Sequence, residues 1–469
     1  MLEITASPTV RQYVAVIIVN LSVLCLGMGI AWPSPVLVKL RNETQSVLPR
    51  PITDEEGSWV VSIGSLSSLI VGFLSALIVD RVGRKYSVIL VCLPRLFVCL
   101  LYVFSSRVWM LMIGRLISGA CDVLTFTVVP MYASEIASKE FRGSLGTILQ
   151  IFSSLGILIM LSIGPFISFL ALNIVFTSAT AIATIPVFFL PDSPYFLYSK
   201  GRTEEALKVL TYFRGSEELA KEEIKEYSSS APEEQISKRE LFTNKLFLKT
   251  VGIVIVLMIG GQLVGFNAVS FYLQTVLEST KTSVRPEVAS VIIGFIQLIA
   301  SFCTASITDR FGRKPILTTT LIGMSLGMIG LGAFFQVRSS TGTVSGIMNY
   351  VPIVSLIIVV FTFSAGPGSL FWVMMAELFE GPARAVGVSS GLISGVLFIF
   401  LTTKFFPMVT SSIGPAITYW VFGVNCILLC LFILFCVPET KGKSFLEIQV
   451  ALGKKVDDVA LQKVSEEKS

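Results

Sequence analysis

Two kinds of side chain in this sequence could do chemistry. The first is acid set against guanidinium. Asp80, Arg81 and Arg84 share the turn Asp80-Arg81-Val82-Gly83-Arg84-Lys85, and Glu135 stands seven residues before Arg142. The same arrangement returns later, with Asp309, Arg310 and Arg313 in Asp309-Arg310-Phe311-Gly312-Arg313-Lys314, and Glu377 seven residues before Arg384. A guanidinium fork matches a carboxylate bidentately, and a set of such pairs, each weak alone, can bias a two-state equilibrium. A plain reading competes: cations in short loops also serve only to orient membrane helices. That rule does not require the duplicated acids. The second kind is the neutral amide and the aromatic ring inside apolar runs: Gln150, Gln262, Asn267, Gln297, Tyr272 and Trp372. Polar groups there are costly to bury and tend to face an interior cavity, or else a neighbouring helix through a hydrogen bond. Asp122, with Arg115 seven residues before it and Arg95 farther back, is an acid inside such a run; a structural pair with either arginine competes with a proton-handling role.

The elements that position these residues are membrane helices. The 469 residues are 53% apolar and 14% charged, with a mean hydropathy of +0.79. Ordinary globular chains carry roughly 25% charged residues. Repeated apolar stretches, each long enough to cross a hydrocarbon core of ~30 Å, predict an all-α membrane protein with twelve transmembrane helices. The expected spans are Tyr13–Val36, Gly57–Val79, Tyr86–Phe104, Val108–Tyr132, Ser144–Phe166 and Ala171–Leu190, then Leu248–Leu277, Val288–Thr308, Ile316–Gln336, Tyr350–Met375, Val386–Val409 and Ile413–Val437. The expected division is a six-helix bundle over 1–191, a cytoplasmic linker with short helices over 192–247, a second six-helix bundle over 248–438 and a cytoplasmic tail over 439–469. Pro191-Asp192-Ser193-Pro194 is echoed by Pro438-Glu439-Thr440-Lys441, so the second bundle reads as a copy of the first; the latter segment is expected to cap span 12.

An even number of spans with basic hairpins places both termini and the linker in the cytoplasm. Asn42-Glu43-Thr44 then lies outside as a glycosylation acceptor at Asn42. The net charge of +5 sits in short loops and calls for a lipid bilayer, not a nucleic acid. The chain has no histidine, so the commonest metal ligand is missing, and neither a metal nor a cofactor is expected. All eight cysteines fall inside expected spans and read as packing residues without disulfides. No cleavable leader is expected, because the first apolar run is long enough to remain as a helix.

Twelve spans built as six plus six resemble the major facilitator superfamily, and the motifs are similar to those of its sugar porter family, the group of the glucose transporters. They stand here as DRVGRK at 80–85, GRLISG at 114–119, VPMYASEIASKEFRG at 129–143 and LPDSPYFL at 190–197. The second half adds GQLVGFNAVSFY at 261–272, DRFGRK at 309–314, GPGSLFWVMMAELFEGPAR at 366–384 and VPETKG at 437–442. Ala-Trp-Pro-Ser-Pro at 31–35 and Thr-Lys-Phe-Phe at 403–406 look most like the arthropod trehalose-transporter-like branch.

The resemblance implies a facilitative transporter of trehalose or a hexose in the cell membrane, acting as a monomer by alternating access. It implies an inner gate made of the ten charged residues named above, paired when the site faces outward and parted when it faces inward. It carries sugar contact onto Gln150, Gln262, Asn267 and Trp372, with Gln297 and Tyr272 beside them. A sugar needs neutral donors, acceptors and an aromatic plate, and no nucleophile or phosphate loop is evident, so an enzyme is not expected. Departures from the family pattern bear on the substrate. Gly261 replaces a glutamine, Gln297 an asparagine and Ser364 an acid. Ser394-Gly395-Val396-Leu397 lacks an Asn-Trp pair, and Ala76 and Ala305 replace glycines. Fewer donors and more room would suit a larger polyol. Family symporters place an acid in span 1, which here has none, so uniport is expected. The alternatives are a proton-coupled symporter hinging on Asp122, a carrier of another polyol or glycoside, and a sugar sensor that does not transport.

Overall fold

In the computed structural model the chain is described over residues 7–138, 142–229, 243–342, 344–379, 381–443 and 445–453. Eleven helices among the described residues are long and apolar enough to cross a membrane, and Ile148–Ile163 belongs to a further apolar helix, giving twelve spans. Spans 1 to 6 are Pro8–Arg41, Asp54–Val82, Arg84–Val103, Val108–Ile136, Arg142–Ile163 and Phe169–Val187. Three short helices follow, Pro194–Ser199, Thr203–Arg214 and Glu217–Ser229. Spans 7 to 12 start at Lys245, Pro286, Arg313, Gly346, Gly381 and Pro415, and the last ends at Cys436.

Several spans run longer than their apolar segments because helix ends recruit polar residues. Span 2 starts at Asp54, not Gly57: Thr53 and Glu56 form a reciprocal capping box, and Asp54, Glu55 and Glu56 sit on the positive end of the helix dipole. At its other end the helix continues through the charged residues to Val82 and is stopped by Gly83 at φ 98°, a value that favours glycine. Gly312, at φ 88°, separates spans 8 and 9 in the same way.

Span 7 is broken where a continuous helix was expected, and span 10 is broken at Gly366-Pro367-Gly368, where those residues predict it. Span 7 consists of Lys245–Leu263, Phe266–Phe271 and Leu273–Thr280, interrupted first at Gly265, which is left-handed at φ 84°. After the 3-10 turn Gly346–Tyr350, span 10 consists of Val351–Ala365 and Pro367–Glu377, since Pro367 has no N–H to continue the ladder past Gly366. The two breaks hold each other: Phe266 and Phe363 stack with ring centroids 3.6 Å apart and planes 6° from parallel. All eight cysteines are free thiols, seven of them buried or half-buried and Cys436 exposed.

The two halves meet along spans 2 and 11 and along spans 5 and 8. Ser154 and Ser301 share a hydrogen bond of 2.6 Å at the second contact, in mid-membrane. At the end away from the basic turns, the Gln274 N–H donates to Ser34 Oγ at 3.0 Å, and Lys404 donates to Ser58 Oγ at 2.8 Å. Trp59 faces Phe400 in the same layer.

Candidate functional site

Each basic turn closes into a charge cluster inside its own half. Arg84 is buried where spans 3 and 4 meet, and its Nε and Nη2 donate to both oxygens of Glu135 at 2.8–3.1 Å. Its Nη1 reaches Asp80 at 3.2 Å; that carboxylate is 64% exposed, and Arg81 is exposed. In the second half Arg313 Nη2 donates to Glu377 at 3.0 Å, and the Thr440 hydroxyl donates to the other oxygen of Glu377. Arg310 and Arg384 are exposed. The side chains of Arg142 and Asp309 lie outside the described residues.

Two acids complete the clusters, and both do something the motif reading missed. Asp192 accepts from the backbone N–H of Arg84 at 3.0 Å and of Lys85 at 3.1 Å. Glu439 accepts from the N–H of Arg313 at 3.0 Å and of Lys314 at 2.9 Å. The segment Pro438-Glu439-Thr440-Lys441 therefore caps the start of span 9, not the end of span 12. A carboxylate satisfies the orphan donors of a helix N-terminus and complements its dipole, which explains why the tail folds back there. Burial opposes ionisation of Glu439, but bonds from the N–H groups of Lys441, Arg313, Lys314 and Thr440 outweigh it and hold its carboxyl below the usual range. The signal was available, since each acid follows a span and a proline in an echoed motif.

The ionic bonds expected to part when the halves separate are therefore formed within halves. Spans 2 and 11 are in register at Gly72 against Leu392, and the same register would bring Asp80 opposite Arg384, yet both are exposed. At the other end the two helices are joined by the Lys404–Ser58 bond.

Two of the sequence-predicted amides meet. Gln262 is 7% exposed, and its Oε1 accepts from Asn267 Nδ2 at 2.6 Å, across the left-handed break of span 7. Gln297 is buried, Gln150 is half-buried, and Trp372, on the Pro367–Glu377 piece of broken span 10, is 39% exposed. Tyr272 is placed otherwise: it is 1% exposed, and its hydroxyl donates to the Thr403 carbonyl at 3.1 Å. The expected extra room is not there at two of the departures. A Cβ on Gly261 would meet Phe371 at 2.6 Å, and one on Gly395 would meet Met258 at 2.9 Å. Apolar side chains occupy those spaces.

Asp122 pairs with Arg95, not Arg115, at 2.7 Å. Arg115 spends its guanidinium on the carbonyls of Gly29, Val60 and Val61, tying spans 1, 2 and 4. The linker docks on the first half: Arg11 and Gln12 donate to the carbonyls of Tyr212 and Phe213, and Arg214 to that of Ile136. Asn42 Oδ1 accepts from the N–H and hydroxyl of Thr44 in an exposed turn.

Comparisons with known proteins agree with this architecture. The family model described as "Sugar (and other) transporter" matches residues 29–452. The facilitated trehalose transporter Tret1 of Culex quinquefasciatus is 31% identical over 451 residues, covering 95% of this chain and 87% of that protein. Tret1 of Apis mellifera ligustica is 31% identical over 454 residues, covering 95% and 89%. Among solved structures, the xylose transporter XylE from E. coli in an inward-open conformation superposes with a TM-score of 0.79 at 22% identity, covering 94% of this chain and 100% of that one. The proton:xylose symporter XylE bound to 6-bromo-6-deoxy-D-glucose gives 0.72 at 23% identity, covering 96% and 100%. These likenesses bear out the twelve-span major facilitator fold read from the motifs. The chain belongs to the sugar transporter family.

Proposed function

We propose that this protein is a facilitative sugar transporter, a uniporter for trehalose or a hexose that works by alternating access. The single observation that carries the site is the Gln262–Asn267 pair. Two amides meet across a helix break, where backbone and side-chain groups can both turn toward a ligand, and Trp372 lies on the other broken helix. The facilitated trehalose transporters that match along nearly the whole chain support the substrate class, and their being carriers supports a transporter over an enzyme. The sugar would sit among Gln150, Gln262, Asn267, Gln297 and Trp372. Tyr272 would contribute by fixing span 7 against span 11.

The gate follows from which charges are exposed. Asp80, Arg81, Arg310 and Arg384, with Arg142 and Asp309 as further members, would meet across the halves when the basic end closes. The clusters Arg84–Glu135 and Arg313–Glu377 would stay formed and keep each half stiff. The bundles would be 1–191 and 248–438, joined by the linker 192–247 and followed by the tail 439–469. In this reading the basic end and both termini face the cytoplasm, Asn42 carries a glycan outside, and a monomer in the cell membrane suffices. The Asp122–Arg95 pair favours uniport over proton coupling, because the acid already has a cation partner.

The test is uptake of radiolabelled trehalose and glucose into proteoliposomes, with and without a pH gradient. Saturable entry, indifferent to the gradient and reduced at least about fivefold in Gln262→Ala, is expected, since losing a buried hydrogen-bonding group costs about 1–3 kcal/mol. Gradient-driven accumulation abolished by Asp122→Asn would overturn uniport. Flux of neither sugar by folded protein would overturn the substrate.

A further inference from the structure

Lys404 is a charge that the transport reading leaves unused. It lies nine residues before Ile413, the end of span 11, so roughly 14 Å of helix separate it from that end at 1.5 Å per residue. A lysine at such depth is costly and marks function by default. Its contacts come from the other half of the molecule. Nζ donates to Ser58 Oγ at 2.8 Å and stands 4.2 Å from the centroid of the Trp59 ring. Both partners are held: Ser58 donates its own proton to the Glu55 carbonyl, and Trp59 leans on Phe400, one turn before Lys404. The turn that carries the lysine is fixed as well, through the Tyr272 hydroxyl on the Thr403 carbonyl.

We propose that Lys404 is the latch of the outer gate: it holds the outer ends of the halves together in the inward-open state and lets go when they part. The physical cause is that its ammonium rests over the face of a half-buried ring and on one hydroxyl of the other half, contacts available only while spans 2 and 11 are packed at that end. When the outer end opens, the ammonium is rehydrated in the outer vestibule at little cost. The contact is therefore state-dependent, unlike Arg84–Glu135, which lies within one half. The orientation of inner and outer ends rests on the transporter reading above. The test below does not need sugar flux, so the two can fail separately.

The reporter is Ser34→Cys. Ser34 is 0% exposed and accepts the cross-half bond from the Gln274 N–H, so a thiol there is uncovered only when the outer end opens. The full-length protein in nanodiscs is labelled with a maleimide, with the reporter alone and with Lys404→Met, Lys404→Arg or Trp59→Leu added, and modification at position 34 is read by peptide mass spectrometry because the native Cys436 is exposed. Labelling should rise about threefold to tenfold in Lys404→Met and Trp59→Leu, the range that one cation–ring contact can shift in a two-state equilibrium. Lys404→Arg, which keeps the cation, should stay near the parent rate. The double variant should exceed neither single by more than about twofold, because both remove one contact. A second readout is kinetic. Lys404→Met in proteoliposomes should lower the external KM for sugar, since a larger share of carriers presents the outer site. Unchanged labelling in Lys404→Met would overturn the latch. So would an equal rise in Lys404→Arg, or in Thr402→Val, whose hydroxyl bonds only within its own helix.

Discussion

In the first half, Arg84 is 6% exposed and meets both oxygens of a Glu135 that is 14% exposed; in the second, Arg313 is 17% exposed and meets one oxygen of a Glu377 that is 29% exposed. The motif letters are nearly the same. The difference lies in the third partner. Glu135 is used up by Arg84, whereas Glu377 divides itself between Arg313 and the Thr440 hydroxyl of the returning tail, and Arg313 Nε is left buried without a hydrogen-bond partner. The first cluster gathers spans 2, 3 and 4 around Arg84, with the linker docked nearby through Arg214 and Ile136. The second is an open set whose strength depends on a segment that follows the last span. A duplicated motif has thus become one rigid anchor and one adjustable joint.

That contrast can be broken by mutation. Arg84→Ala strands a buried carboxylate and should destabilise the folded protein by about 3–5 kcal/mol, read as loss of the thermal transition in detergent. Arg313→Ala leaves a more exposed acid that keeps its hydroxyl donor, and should cost only about 1–2 kcal/mol in the same assay. Equal losses would mean that the two clusters do the same work. Thr440→Val removes the tail's hydrogen bond from Glu377 and should cost about 1 kcal/mol while leaving the first half untouched. Hydrogen exchange should then rise around residues 437–443 and not around 190–197.

The smallest effect is one of pH. Glu439 has a depressed folded-state pKa, so the stability it contributes is fully present above the ordinary carboxylate value of about 4.3 and is lost as pH falls through the folded value. The wild type should lose thermal stability over that acid range, and Glu439→Gln should start lower and change less there.

The number of spans, their halves and the turn residues were legible because apolar length and duplicated charge are one-dimensional signals. Other features depended on what folds back against what. Span 7 was read as continuous although Gly265 stood in plain view, since a glycine inside a membrane helix is tolerated until a bulky neighbour such as Phe422 fixes its conformation. Asp122 had two arginines in reach, and only the packing of spans 3 and 4 shows that Arg95 takes it while Arg115 serves carbonyls. The substitution at Gly261 suggested space, but Phe371 fills it from another helix. Lys404 was noticed only as part of a motif, because its partners Ser58 and Trp59 lie far away in the chain.

The Arg95–Asp122 pair also bears on biosynthesis. Each ionised residue taken singly costs about 2.5–3.5 kcal/mol at the centre of a helix entering the bilayer through the translocon. Spans 3 and 4 are joined by only Phe104 to Arg107, so they can enter as a hairpin with the pair already formed. Span 3 expressed alone should then insert less efficiently than the span 3–4 hairpin in a glycosylation-tagged insertion assay. Asp122→Leu within the hairpin should erase part of that advantage by leaving Arg95 to enter the lipid unaccompanied.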